Sequence, residues 1–379
     1  MRNWKKFVSP VIALLAVLLL MFAAGSGNAG ALADAAATEP QAAVTGTASA
    51  PAGFATASPD PAEEPTESPT PSPSPSPTAV PPPVDFLKGD LTGAGAGQLE
   101  KLFKAWGFKY YAADGKWTAA DTYELTLFQR WAGVSPTGKA DDATRKKLLS
   151  AYTAYGVKAI PRQKLPLEGR YIGIIPGHQS KANYKTEAIS PERGSPKKCK
   201  VSSGTRGVAT KVYEYQVNLT VGLKLRDKLM IMGARVLMAR TSNSVNISNG
   251  ERTRMMNDAG VQVCLSLHCD GNKNKKLAGF HTLIPGKRGY QTGAVLTKSQ
   301  KFARIVQEES IKSTGAKNKG YSTRRDLTTF NWAKMPICMV EMGYMTNAAE
   351  DKRLNDPKYQ AKLATGMANA FVRYFKEVK

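Results

Sequence analysis

Apolar and polar residues in the second half of the chain follow patterns that predict strands and helices in turn. Short continuous apolar runs, YIGIIP at 171–176 and VCLSL at 263–267, are typical of buried strands. Between them, the segment 213–232 repeats apolar residues at helical spacing, with one face formed by Val217, Val221, Leu225 and Leu229. The alternation predicts an α/β domain with a mainly parallel sheet flanked by helices over residues 168–379.

Local signals predict where further elements of this domain begin. Capping-box spacings at Ser248–Glu251 and Thr297–Gln300 predict two helix starts. We expect a hairpin around Gly279, a strand at PICMVE and a last helix from about Pro357 to Glu377.

The pattern differs between residues 86 and 155, where three short amphipathic segments are separated by glycine-containing turns. Leu148 and Leu149 are expected on the apolar face of the third. The segments resemble the three-helix peptidoglycan-binding module in Asp114-Gly115, Phe128-Gln129, Gly133, Gly138 and Thr144. The resemblance implies a small all-α wall-binding domain, and the alternative is a helical spacer without a ligand.

The beginning of the chain has neither pattern. Residues 1–33 combine basic residues, an apolar run and the small-residue motif Ala31-Leu32-Ala33, which predicts a cleaved export signal. An uncleaved membrane anchor is the alternative, because the apolar run is near the shortest length that spans a bilayer. Residues 34–85 are rich in Pro, Ser, Thr and Ala, which predicts an extended disordered linker. We expect a secreted, wall-associated protein that acts as a monomer.

Charge and cysteine content indicate which partners and which cysteine sites the chain can have. The 379-residue chain has net charge +23, and residues 1–85 contain only 3 of its 53 Lys and Arg against 7 of its 30 Asp and Glu. The remainder is therefore strongly basic, which suits anionic wall polymers better than nucleic acid in an exported protein. No pair of the four cysteines has zinc-binding spacing. Cys264 and Cys338 are expected as core thiols, and a disulfide between Cys199 and Cys269 is one possibility.

Four polar residues stand where ligands bind in α/β sheets. His178, His268 and Glu341 each follow or end an apolar strand, and Glu214 opens the helix at 213–232. Two histidines and a carboxylate can hold zinc with one position open, and a second carboxylate can carry protons. Each residue alone also has a structural interpretation, as a turn histidine or a helix-dipole partner. We expect His281 on a hairpin away from these strand ends and interpret it as structural.

The motifs IPGHQ, YEYQVNLTVGLKL, ERTRMMNDAG, LSLHCDG and MPICMVEMGYMTN occur in order over about 200 residues. This region resembles the third family of zinc-dependent N-acetylmuramoyl-L-alanine amidases. The resemblance implies that His178, Glu214 and His268 are the Zn²⁺ ligands and that Glu341 is the catalytic glutamate. It also implies hydrolysis, by zinc-activated water, of the amide between N-acetylmuramic acid and L-alanine in peptidoglycan.

The chain departs from that family in two places. A long polar insertion follows His178 and contains five lysines, and HCDG replaces the usual HANA. Arg240, Arg252 and Asn257 match recurrent family positions, the last two as residues that orient helices and a loop. The alternatives are a zinc peptidase acting on the stem peptide, an inactive wall-binding protein and a secreted nucleic-acid binder.

Overall fold

The computed structural model describes residues 94–378. The export signal predicted for residues 1–33 and the linker predicted for residues 34–85 lie outside the described residues. Among residues 94–378, no helix is both long enough and apolar enough to cross a membrane.

Three helices form the first part: α1 (Ala94–Trp106), α2 (Ala119–Trp131) and α3 (Asp142–Tyr155). They enclose a core of their own that is rich in aromatic rings, including Phe103, Trp106, Phe108 and Phe128. A side-chain cap from Thr118 begins α2, and one from Asp141 begins α3. Leu148 is buried as predicted, but Leu149 is 40 % exposed, because the narrow apolar face of α3 has room for only one of two successive residues.

This three-helix bundle packs against the start of the α/β domain. The Tyr123 hydroxyl accepts a hydrogen bond from the Gly169 amide at 2.9 Å and donates one to the Gly233 carbonyl at 2.6 Å. A Cβ atom at residue 169 would stand 2.6 Å from the ring of Tyr110, so glycine permits the close approach. Gly169 and Gly233 precede the first and fourth strands, which places the bundle at the amino-terminal edge of the sheet.

The α/β domain contains eight strands and six helices. The strands are β1 (Tyr171–Pro176), β2 (Asn183–Ala188), β3 (Lys197–Val201), β4 (Arg235–Met238), β5 (Val263–Asp270), β6 (Phe280–Pro285), β7 (Asn318–Arg324) and β8 (Ile337–Tyr344). The helices are α4 (Glu214–Ile231), α5 (Asn249–Asp258), α6 (Gly293–Thr314), α7 (Thr328–Asn331), α8 (Ala348–Leu354) and α9 (Pro357–Glu377).

Six strands form one sheet in the order β4-β1-β5-β8-β6-β7, and β2 pairs with β3 in a separate hairpin. The first four strands of the sheet are parallel, and β6 is antiparallel to β8. Apolar side chains of α4, α6 and α9 cover one face, while α5 and α7 cover the other. The predicted fold class, a mainly parallel sheet flanked by helices and preceded by a small helical domain, is confirmed.

Two local predictions are wrong. Gly279 is not in a hairpin, because the loop after β5 carries the chain past β8 and β6 pairs with β7 and β8 instead. Helix α6 begins at Gly293, so Thr297 is inside it, where its hydroxyl donates to the Gly293 carbonyl at 3.2 Å. A Thr side chain that bonds the preceding turn fits a helix interior as well as a cap.

The cysteines are all free. Cys264 and Cys338 are buried core thiols, as predicted. The possible disulfide between Cys199 and Cys269 is not formed: Cys199 lies in β3, and Cys269 is buried in β5 rather than in a loop. The Cys269 thiol instead lies 3.5 Å from the Asn218 amide oxygen, to which it donates.

Candidate metal centre

The four sequence-predicted site residues converge on one cleft at the carboxyl edge of the parallel strands. His178 follows β1, His268 lies near the end of β5, Glu341 lies in β8 and Glu214 is the first residue of α4. All four line a cleft of about 590 Å³. The topology explains the convergence, because β1, β5 and β8 are adjacent and parallel.

His178, Glu214 and His268 form the group that fits a metal ion. Their candidate ligand atoms all lie within 4.8 Å of one another. Oε1 of Glu214 is 3.3 Å from Nε2 of His178 and 3.0 Å from Nδ1 of His268. The two imidazole rings are nearly perpendicular, with centroids 4.9 Å apart.

The backbone and the neighbours of His178 fix its imidazole. Its φ of 56° lies in the left-handed region, which non-glycine residues rarely adopt. Nδ1 lies 2.9 Å from the Ser202 carbonyl, so this nitrogen carries the proton and donates it. Nε2 is left with a lone pair directed towards Glu214. The buried Arg252 guanidinium donates to the His178 carbonyl at 2.9 Å, which holds the strained peptide in place.

Every oxygen of the Glu214 carboxylate has a donor. Oε2 accepts from the Thr205 amide at 2.9 Å. Oε1 accepts from the Asn218 side chain and from the Cys269 amide, each at 3.1 Å. Burial alone would raise the pKa of Glu214, but His178 and His268 hold it well below its usual range. Glu214 is therefore ionised and oriented, as a metal ligand must be.

The imidazole of His268 is largely enclosed, with 15 % of its side chain exposed. Burial lowers its pKa, and Glu214 only partly opposes this effect. A Cβ atom at Gly177 would stand 2.1 Å from Cε1 of the imidazole, so the backbone after β1 lies directly against the ring. A neutral, fixed imidazole presents a lone pair to a cation.

Glu341 lies beside this triad without belonging to it. It is the register partner of His268 on the neighbouring strand. Its Oε2 is buried and has no hydrogen-bond partner among the residues that the structure describes. Burial, followed by repulsion from Glu214 and Asp270, raises the pKa of Glu341 well above its usual range, and Arg324 only partly opposes the shift. Such a carboxylate has high affinity for a proton and needs a partner from outside the fold.

The other residues predicted from the family resemblance support the loops. Arg240 donates to the carbonyls of Pro176 and Gly177 at 3.0 and 2.9 Å, and Arg252 donates to Pro176 at 2.8 Å. Asn257 joins α5 to the end of α7 through the Trp332 carbonyl at 2.8 Å.

His281 is buried in β6 and pairs in register with Glu341, whereas we expected it on a hairpin away from the site. Among the described residues, the group that could hold a metal ion does not include His281.

Sequence reasoning missed the residues that position the triad. Ser202 and Thr205 lie in the insertion, where no local pattern marks them. Asn218 had a detectable signal, because it follows Glu214 by one helical turn and is a polar residue among apolar ones on the inner face of α4.

Comparisons with known proteins agree with this geometry. The germination-specific N-acetylmuramoyl-L-alanine amidase of Bacillus subtilis is 25 % identical over 232 residues, which cover 56 % of this chain and 83 % of that protein. An N-acetylmuramoyl-L-alanine amidase of Mycobacterium tuberculosis is 29 % identical over 217 residues, covering 55 % of this chain and 85 % of that protein.

A solved structure has the same fold. The N-acetylmuramyl-L-alanine amidase Ami1 from Mycobacterium smegmatis aligns with a TM-score of 0.51 and 23 % identity, over 56 % of this chain and 99 % of that chain. The fold and the site define an α/β domain with a candidate metal centre at the carboxyl edge of its parallel strands. Residues 172–373 match the N-acetylmuramoyl-L-alanine amidase family, and this chain belongs to it. It is an amidase of the cell wall.

Proposed function

We propose that this chain is a secreted, zinc-dependent N-acetylmuramoyl-L-alanine amidase. It would hydrolyse the amide that joins the lactyl group of N-acetylmuramic acid to the first L-alanine of the stem peptide. The supporting observation is that the cleft holds a group of candidate metal ligands and, beside it, a separate carboxylate that could carry protons. His178, Glu214 and His268 present three metal donors within 4.8 Å of one another, and a separate buried carboxylate, Glu341, lies beside them with an oxygen that no described residue bonds.

The donor set suits zinc, because two imidazoles and one carboxylate leave a coordination position open. A bound zinc ion would supply Lewis acidity to the attacking water and to the scissile carbonyl. Glu341 would take a proton from the water and deliver it to the departing amine nitrogen. The high proton affinity of Glu341 favours the first transfer, and its place in the same cleft makes the second possible.

Hydrogen bonds from outside the donor set would keep the centre in its working geometry. The Ser202 carbonyl selects the tautomer of His178, and Asn218 and the Thr205 amide orient Glu214. Partners of this kind commonly change metal affinity by about 10- to 100-fold.

The remaining assignments concern delivery to the wall. We assign the three-helix bundle to peptidoglycan binding, on its resemblance to the known module. Export follows from the pattern of residues 1–33, and the basic excess of the rest of the chain favours anionic wall polymers as additional partners.

The decisive experiment is digestion of purified peptidoglycan, with and without a chelator, followed by mass spectrometry of the new ends. Free stem peptides beginning with L-alanine, lost on chelation and restored by zinc, are the expected result. Cuts within the stem peptide would instead identify a zinc peptidase. Binding to the wall with no cuts at all would identify an inactive wall-binding protein.

A further inference from the structure

A second cavity, of about 680 Å³, lies between the β2–β3 hairpin and the loop that follows β4. We call it the hairpin pocket. It begins two residues after His178, in the insertion that distinguishes this chain from the usual family pattern. Its lining contains two lysines and no acidic residue: Ser180, Lys181, Ala182, Asn183, Tyr184, Lys185, Ser244, Val245 and Asn246.

Hydrogen bonds join the two walls of the hairpin pocket. The Asn183 side chain donates to Oδ1 of Asn246 at 2.9 Å and accepts from the Lys185 amide at 3.1 Å. The Ser180 amide donates to the Asn243 carbonyl at 3.0 Å. The pocket is therefore formed before any ligand enters, which reduces the ordering cost of binding.

A connected set of hydrogen bonds also links the wall of the hairpin pocket to the metal centre. The buried Gln179 side chain accepts from the Ile247 amide at 3.1 Å and donates to the Lys181 carbonyl at 2.9 Å. The same amide oxygen accepts from Arg252 at 2.9 Å, and Arg252 holds the His178 carbonyl. The wall of the hairpin pocket is thus fixed relative to the loop that carries His178.

The exposed groups of the pocket suit a carboxylated saccharide. Tyr184 is 71 % exposed, and its ring offers an apolar face with a polar tip, as sugar rings require. Asparagine and serine side chains offer hydrogen bonds to hydroxyl and acetamido groups. Lys181 and Lys185 are exposed and have no ion-pair partner among residues 94–378, whereas Lys198 of the same hairpin pairs with Asp326 at 2.5 Å.

The reaction itself creates such a saccharide. Hydrolysis breaks the lactyl C–N bond and forms a C–O bond to water oxygen, and the leaving nitrogen becomes the amine of the stem peptide. At neutral pH the lactyl group ionises, so each cut adds one negative charge to a glycan strand that is neutral at that position. The substrate strand and the product strand therefore differ in charge.

We propose that the hairpin pocket binds glycan strands at muramyl residues whose lactyl carboxylate has already been freed. This inference rests on the proposed function, because it takes the product of that reaction as its ligand. Binding of the cut strand beside the metal centre keeps the next uncut position of the same strand close to the cleft. Successive cuts then cluster on individual strands.

The test is equilibrium binding of the full chain to prepared glycan strands without peptides. The comparison ligand is a neutral N-acetylglucosamine oligosaccharide of equal length. The expected Kd for the carboxylated strand is about tenfold lower than for the neutral one, and the difference shrinks at high salt. The double variant Lys181→Gln/Lys185→Gln removes this preference, and Tyr184→Ala weakens binding of both ligands.

The matched control is Lys358→Gln/Lys362→Gln on α9, which makes the same change in net charge one helical turn apart on another surface. It should retain the preference. Equal affinity for the two ligands, or a preference that survives in Lys181→Gln/Lys185→Gln, would overturn the proposal. Tighter binding of poly(glycerol phosphate), lost in that same variant, would assign the pocket to phosphodiester polymers instead.

Hydrolysis distinguishes this proposal from the proposed function. Both double variants are expected to cleave a minimal muramyl peptide as fast as the unmodified chain. On long strands, Lys181→Gln/Lys185→Gln should scatter its early cuts, which the unmodified chain places in runs. If the minimal substrate is not cleaved by any of them, the proposed function fails, while the binding measurement still decides the ligand of the pocket.

Discussion

The backbone at Gly177 lies directly against the imidazole of His268, so that a Cβ atom at residue 177 would stand 2.1 Å from Cε1 and 2.4 Å from Nε2. We predict that Gly177→Ala displaces His268 and lowers zinc affinity by at least about 10-fold, as the loss of a positioned ligand does. Zinc content after dialysis against a graded metal buffer measures this effect.

Gly97→Ala is the control for Gly177→Ala. A Cβ atom at residue 97 makes only an ordinary contact of 3.7 Å, in helix α1. It should leave zinc content unchanged and slightly favour the helix. Full zinc occupancy in Gly177→Ala would show that the loop moves away without cost, and the steric argument would fail.

Asn218 supports Glu214 from one helical turn away, with its amide at 3.1 Å from Oε1. We predict that Asn218→Ala weakens zinc binding by about 10- to 100-fold. Activity should return when the zinc concentration is raised, because Glu341, the proposed catalytic carboxylate, is unchanged. A variant whose activity is low at every zinc concentration would indicate a role other than positioning of Glu214.

Sequence reasoning located the donors because topology brings the ends of adjacent parallel strands together. His178, His268 and Glu341 each follow or end an apolar run, so the sheet order alone places them at one edge. It did not locate their partners. Ser202 acts through its backbone carbonyl and Thr205 through its backbone amide. Because almost every residue has these groups, the sequence does not mark the two positions.

The local sequence pattern also could not predict the order of the strands in the sheet. Nothing between Gly271 and Gly279 marks the loop as a crossing past β8, and a glycine near a short apolar run resembles a hairpin turn. The position of His281 beside Glu341 follows from that pairing and from no nearby residue.

Replacement of Glu341, the proposed catalytic carboxylate, separates metal binding from catalysis. We predict that Glu341→Gln retains one zinc per chain and loses at least about 100-fold in hydrolysis, because an amide cannot carry the proton. Mass spectrometry of peptidoglycan digests measures turnover, and atomic absorption measures zinc. Turnover close to that of the unmodified chain would remove Glu341 from the catalytic role.

His268 and His281 form a matched pair, because they lie on the two strands that flank Glu341 of β8. His268→Ala should lose both zinc and activity, since His268 is one of three candidate ligands. His281→Ala should keep its zinc, because His281 lies outside that group. A His268→Ala chain that still binds one zinc would exclude His268 from the ligand set.

Stability of the three-helix bundle depends on a buried ion cluster. The Lys109 amine pairs with Glu100 at 3.2 Å, with Glu124 at 2.9 Å and with Asp121, and all four side chains are at most 3 % exposed. We predict that Lys109→Met destabilises the bundle by about 3 kcal/mol or more, because three buried carboxylates lose their cation. Thermal unfolding followed by tryptophan fluorescence measures the loss, with the exposed Lys101→Met in α1 as a neutral control.

The same cluster predicts a loss of bundle stability at high pH. Burial opposes the charged form of Lys109, but its hydrogen bonds and ion pairs with Asp121 and Glu124 raise the pKa from 10.5 to about 12. A group whose pKa is higher in the folded chain stabilises the fold fully below its unfolded pKa and loses that contribution as pH rises through the folded value. The stabilisation should therefore be complete below about pH 10 and should decline towards pH 12. Lys109→Met should lack this decline, and an equal decline in both chains would assign it to other groups.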